Sequence, residues 1–304
     1  MADLAVVMAF VKDVQYVRIC QLASMVVVLY DHAIKFPEEV DLIWRRKWST
    51  PSILYILIRY LTATLLVLSS VVFFTPSTPQ RVSHRLVFVK FQAWSTTFLF
   101  FFMQAILQIR LCAMYNNSRK VKICLSVAFS TQVIVLSTLL IIGHVPLGAV
   151  AEPFPGIYMC TAMNMPKWYP AWWAPVVLLD LGFFWLALRV GIRNLKEMRS
   201  LSGGDTRISM LRRIMLRDSI LYYLVILSIN VVNAFVWMGL KGITYEIPQG
   251  FSVAAVSILG CRLVLNLRYA YHYPISDNTQ LHQSDMDNIL PIQSLPDFTS
   301  VSTP

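Results

Sequence analysis

Charge is scarce in this chain. Only 14% of its 304 residues are Asp, Glu, Lys or Arg, where a water-soluble domain carries about 25%. So little charge cannot coat a water-facing globule of this size, and 57% of the residues are apolar. The same figures exclude a disordered chain, a collagen and a coiled coil. Cysteine is also sparse. Cys20, Cys112, Cys124, Cys160 and Cys261 form an odd set without CxxC spacing, which is neither a disulfide framework nor a zinc site. None of the histidines sits four residues from another with an acidic neighbour, so the HExxH metal helix is missing. No nucleophile–base set stands out. These absences point away from an enzyme, a metal and any other cofactor. A secretory leader is not expected either. Residues 4–11 are apolar, but the stretch is short and no basic region precedes it. The first spanning helix is expected to direct targeting itself.

What the chain does have is long apolar runs. About 20 such residues cross ~30 Å of hydrocarbon, and in lipid a run of this length satisfies its backbone as a helix. Seven runs qualify: 16–34, 51–75, 91–110, 122–142, 171–190, 219–240 and 248–269. They predict an all-α, seven-transmembrane helix bundle over 16–270, with a short segment, 1–15, before it. Pro51 and Pro248 suit the first turns of spans two and seven. The tail, 271–304, has no Lys or Arg and is expected to be disordered. Seventeen basic residues lie in the loops after spans one, three, five and seven, against seven on the other side. The positive-inside rule then places the N-terminus outside and the C-terminus in the cytoplasm. The net charge of +10 is thereby an orientation signal, and no nucleic-acid partner is implied. The lipid bilayer is the first partner, in the plasma membrane or an endomembrane. The sequon Asn116-Asn117-Ser118 falls in a cytoplasmic loop, so a glycan on it would invert the topology.

Ionisable residues inside a span are costly and face protein or water. Asp180 lies near the middle of span five and Arg262 in the inner half of span seven. Both are expected to face the bundle interior with Asn230 and Asn233, either as a ligand or solute site or as helix-register contacts. Asp31 and Arg59 share a leaflet and are expected to pair. In loop 1, Pro37 can open a short helix with Glu38 and Glu39 at its positive end. Val40, Ile43, Trp44 and Trp48 recur on one face of it. This predicts an amphipathic helix with Trp44 and Trp48 at headgroup depth, acting as a membrane anchor or as a docking surface for a cytosolic protein. Loop 5, 189–217, is basic and broken at 202–205, so the flanking helices are expected to extend past the bilayer. It could meet anionic lipid or an acidic partner, and the serine-bearing tail offers a further docking site. Loop 4, 143–170, is proline-rich and caps the bundle or lines an outer pocket. Its Cys160 has Cys20 as an outer-side disulfide candidate.

One set of residues resembles a known group. Tyr30-Asp31, Glu39-Val40, Ile43-Trp44, Lys47-Trp48 and Arg59-Tyr60 are similar to the N-terminal signature of a large family of fungal, mostly basidiomycete, multi-pass membrane proteins. That signature is a domain of unknown function, here within 16–65. Arg110 to Tyr115, Leu216-Arg217-Asp218-Ser219 and Arg262-Leu263 fit the same group. His32-Ala33-Ile34-Lys35 departs mildly from its usual turn. The resemblance implies seven helices and membrane residence, and it brings no catalytic residue, ligand or cofactor.

Seven spans, an outside N-terminus and a basic fifth loop favour a receptor- or sensor-like protein whose ligand the sequence does not name. The likeness to G-protein-coupled receptors is one of architecture. Span six lacks a proline kink, span three ends in Gln108-Ile109-Arg110 and span seven lacks Asn-Pro-x-x-Tyr. A retinal protein is disfavoured because span seven has no lysine. The alternatives are a transporter or channel for a small solute, or a membrane scaffold.

Overall fold

The structure, a computed structural model, describes residues 2–75, 82–144, 148–150, 161–163, 166–200, 206–239, 244 and 246–272, and the side chains of 7–75, 87–144, 166–193, 220–239, 244 and 246–269. Its long elements are α1 (Ala2–Glu39), α2 (Thr50–Phe74), α3 (Val82–Met114), α4 (Arg119–His144), α5 (Trp173–Ser200), α6 (Thr206–Gly239) and α7 (Glu246–His272). All seven are long and apolar enough to cross a membrane. A π turn (Val40–Trp44) follows α1, and a 3-10 turn (Tyr169–Trp172) leads into α5. The short strands β1 (Gly148–Val150) and β2 (Thr161–Met163) pair antiparallel, with Ala149 opposite Ala162.

Helix ends follow local chemistry. Ser49 is extended (φ −139°, ψ 162°) and hands over to Thr50 and Pro51 in the first turn of α2, where the missing proline N–H costs nothing. At the end of α3, Asn116 and Asn117 take φ of 52° and 56°, which asparagine tolerates better than most residues. The Asn117 N–H then donates back to the Cys112 carbonyl at 2.9 Å, closing the helix with a left-handed cap. The sequon is therefore part of this cap.

The first span departs from expectation. It begins well before residue 16 and does not stop at 34. Pro37 lies inside α1 rather than opening a new helix, and the chain then widens into the π turn. The separate loop-1 amphipathic helix does not form. Glu39 meets α2 through its side chain, described below, and this tertiary pairing holds the last turns of α1 helical past the proline. Helices α5 and α6 do extend on either side of 202–205, as expected.

α1 packs on α2, α2 on α3, α3 on α4 and α5, and α5 on α6. α3 and α7 are the most enclosed, with 56% and 61% of an 18-residue apolar stretch of each buried. Tyr55 and Ile58 of α2, Met103 and Leu107 of α3, Phe183 of α5, Tyr223 of α6 and Val264 of α7 share one core. α3 and α7 approach closely at Gly260, where a Cβ would lie 2.7 Å from the Met103 sulfur and that side chain would have to shift. Successive helices alternate in direction. Arg18, close to the middle of α1, donates to the Phe73 carbonyl at the end of α2 (2.8 Å), and Gln92 of α3 reaches Glu246 of α7. These contacts mark one end of the bundle, the Glu246 end. Arg59 and Arg262 mark the other, the Arg59 end.

The outer faces are apolar. Ile134, Leu178 and Phe235 are 67–68% exposed. Such a belt in water would be an aggregation surface, whereas in hydrocarbon it costs nothing. The chain is an integral membrane protein on these grounds. It divides after Leu265, and the second unit continues α7 to His272 among the described residues. The expected tail beyond 272, Cys160 and the break at 202–205 lie outside the described residues. Cys20 is free.

Candidate functional site

Polar side chains cluster at three levels. At the Arg59 end, the guanidinium of Arg59 (1% exposed) and the carboxylate of Glu39 (0%) form an ion pair, Nε to Oε2 2.6 Å. Charges this deep call for hydrogen-bond partners; the neighbours supply them to Glu39, while Arg59 Nε has only this ion contact and Nη1 has no partner among the described residues. The Tyr60 hydroxyl donates to Glu39 Oε1 at 2.9 Å and the Trp44 indole N–H donates to the same oxygen at 3.0 Å. Arg59 Nη2 donates to the His32 carbonyl at 2.8 Å. The guanidinium also lies over the Tyr55 ring, 5.6 Å from its centroid, at the i, i+4 spacing that puts both on one face of α2.

The expected Asp31–Arg59 pair is not formed. Asp31 accepts from Arg262 Nη2 at 2.8 Å instead, so two ion pairs stand side by side, Glu39–Arg59 and Asp31–Arg262. The cause is the unbroken α1. Asp31 and Glu39, eight residues apart, fall near one stripe of a continuous helix, and Arg59 takes the deeper acid. Arg262 was expected in the interior with Asp180, but its side chain is 51% exposed and faces α1. Trp44 and Trp48 are both exposed, their rings edge to face at 6.4 Å. Trp44 thus both holds Glu39 and presents a face outward.

The middle level does match the expected interior site in part. Asp180 of α5 is 3% exposed. It accepts from Asn230 Nδ2 of α6 at 2.5 Å and from Gln104 Nε2 of α3 at 3.2 Å. One carboxylate therefore ties three helices. The side-chain oxygens of Gln104 and Asn230 are buried without a partner among the described residues. Asn233, one turn on from Asn230, turns to α7 and donates to Ser252 Oγ at 2.6 Å. Asp180, Asn230 and Asn233 are brought to one level, and Arg262 is not.

The third level lies at the Glu246 end, and the sequence reading missed it. A cavity of about 80 Å³ opens between α3, α4, α5, α6 and α7. Its walls include Phe100, Tyr169, Trp172, Trp173 and Trp237. The rings of Trp172 and Trp173 lie 5.3 Å apart, edge to face. Phe100 meets them at 5.9 and 5.6 Å, and Tyr169 meets Trp237 at 5.8 Å. Aromatic pairs at this spacing stiffen each other. Among the polar lining, Gln92 Nε2 donates to Glu246 Oε2 at 3.0 Å. The buried Trp172 indole N–H and the Gln249 side-chain oxygen have no partner among the described residues. Gly143 lets the wall close, because a Cβ there would stand 2.7 Å from the Tyr169 ring. A signal did exist in the sequence. Trp168-Tyr169 and Trp172-Trp173 crowd the start of span five, and Glu246 opens span seven. Membrane-interface aromatics account for the first pattern equally well.

No curated protein matches the chain. Residues 19–63 match a family described as "Family of unknown function (DUF6533)", and that stretch contains Asp31, His32, Glu39, Trp44, Tyr55, Arg59 and Tyr60, so what the matched segment builds here is the α1–α2 half of the Arg59 end.

Proposed function

We propose that this integral membrane protein is a non-enzymatic, receptor- or sensor-like seven-helix protein with its N-terminus outside and its C-terminus in the cytoplasm. One observation carries the reading. The aromatic cavity opens at the Glu246 end, and beneath it the bundle is filled. Phe183, Met103, Leu107 and Tyr223 are at most 2% exposed, and the Asp180 junction binds α3, α5 and α6 together. A site at one end above a packed core suits binding that shifts helices. A channel needs a continuous wet path, and a transporter for a small solute would have to part this core. The basic excess on the Arg59 side supports that side as cytoplasmic, where the ion pairs lie close to any cytosolic partner.

Proximity labelling from the cytoplasmic face, with wild type compared against Asp180→Asn and against a chain lacking 271–304, tests this. A receptor or sensor yields partners whose recovery changes in these variants, with no solute flux in reconstituted vesicles. Flux abolished by Asp180→Asn would establish the transporter reading instead. Unchanged partners in the variants, again without flux, would leave a scaffold.

A further inference from the structure

We propose that the cavity at the Glu246 end binds a small organic ammonium ion, an inference that rests on the receptor reading above and names the ligand chemistry it implies. The walls are built largely of aromatic rings, whose faces carry the negative lobe of the ring quadrupole. A cation among several such faces gains electrostatic attraction that grows as water is excluded. Glu246 is the only carboxylate among the lining residues, and none of them is Lys or Arg. Among the described residues Gln92 is the one hydrogen-bond partner of that carboxylate. A buried carboxylate needs a counter-charge or several donors, and one amide donor supplies little.

A second observation points the same way. Trp172 is 8% exposed and lines the cavity, yet its indole N–H has no partner among the described residues. A buried donor without an acceptor is costly. An ammonium ion that also carries a hydroxyl or carbonyl oxygen satisfies it, and the Gln249 side-chain oxygen, without a partner among the described residues, accepts from a hydroxyl or ammonium donor. The small volume suits an amino-alcohol-sized molecule rather than a drug-sized one.

The test uses the full chain in lipid nanodiscs, read by tryptophan fluorescence and calorimetry. The probes are choline and the neutral alcohol in which carbon replaces its nitrogen. The two have nearly the same shape, so the comparison on wild type isolates the charge. Choline is expected to bind saturably, and the alcohol at least about tenfold more weakly. Glu246→Gln keeps an acceptor for Gln92 and is expected to lose about tenfold in choline affinity while leaving the alcohol unchanged. Equal binding of the two probes to wild type would overturn the proposal, as would undiminished choline affinity in a folded Glu246→Gln protein. So would the absence of choline binding to folded wild type. Partner recovery at the cytoplasmic face is scored separately. Ammonium binding without any change in partners sinks the receptor reading alone, and a partner response without ammonium binding sinks this inference alone.

Discussion

Glu39 and Arg59 are bound to each other inside the bundle, 2.6 Å apart and both essentially sealed from solvent. Their helices, α1 and α2, are joined by the turn that carries Trp44 and Trp48, so this one pair fixes how the chain reverses. Removing either partner leaves an unpaired buried charge. Arg59→Ala is expected to destabilise the protein by about 3–5 kcal/mol. Replacing both residues with methionine is expected to cost less than either single change, because no charge is left behind. Unfolding in detergent micelles, run as a double-mutant cycle, checks this. A double variant as unstable as the sum of the singles would show that the two groups act independently.

The neighbouring pair behaves differently. Arg262 is 51% exposed, so this pair is less enclosed than Glu39–Arg59. Asp31→Asn is expected to destabilise the protein less than Arg59→Ala does, with unfolding in detergent micelles as the readout. A loss as large as that of Arg59→Ala would mean that Asp31 supports the Arg59 cluster directly.

Asp180→Leu removes the acceptor of two buried amide donors, from Gln104 and Asn230. Each stranded donor costs about 1–3 kcal/mol. Asp180→Asn retains one acceptor oxygen and is expected to fall between wild type and Asp180→Leu in thermal stability. The order of the three melting temperatures is the readout.

Two glycines give a contrast. At Gly143 a Cβ would meet the Tyr169 ring at 2.7 Å, so Gly143→Ala must push that ring from the cavity wall. It is expected to change the intrinsic tryptophan emission and lower choline affinity. At Gly182 of α5 nothing lies within 4 Å of the added Cβ. Gly182→Ala is expected to leave the cavity unaltered and to stabilise α5 by up to about 1 kcal/mol.

The seven helices long and apolar enough to cross a membrane were legible in the sequence because hydrocarbon allows few solutions. A run of about 20 apolar residues must close its own backbone hydrogen bonds, so length and composition alone determined the helices, and the start of α2 at Pro51 followed from local chemistry. The burial of Asp180 and Asn230 was legible too, since a charge at mid-span must face protein. What the tertiary structure alone decided was who meets whom. Proximity in a shared leaflet suggested Asp31 for Arg59, but the continuation of α1 past Pro37 brought Glu39 to it and left Asp31 to Arg262. The cavity was hidden for the same reason. Phe100, Trp173, Trp237 and Glu246 lie on four different helices, and each of them taken singly has an ordinary reading in lipid. Their convergence depends on helix rotation and crossing, which packing sets and hydropathy does not record.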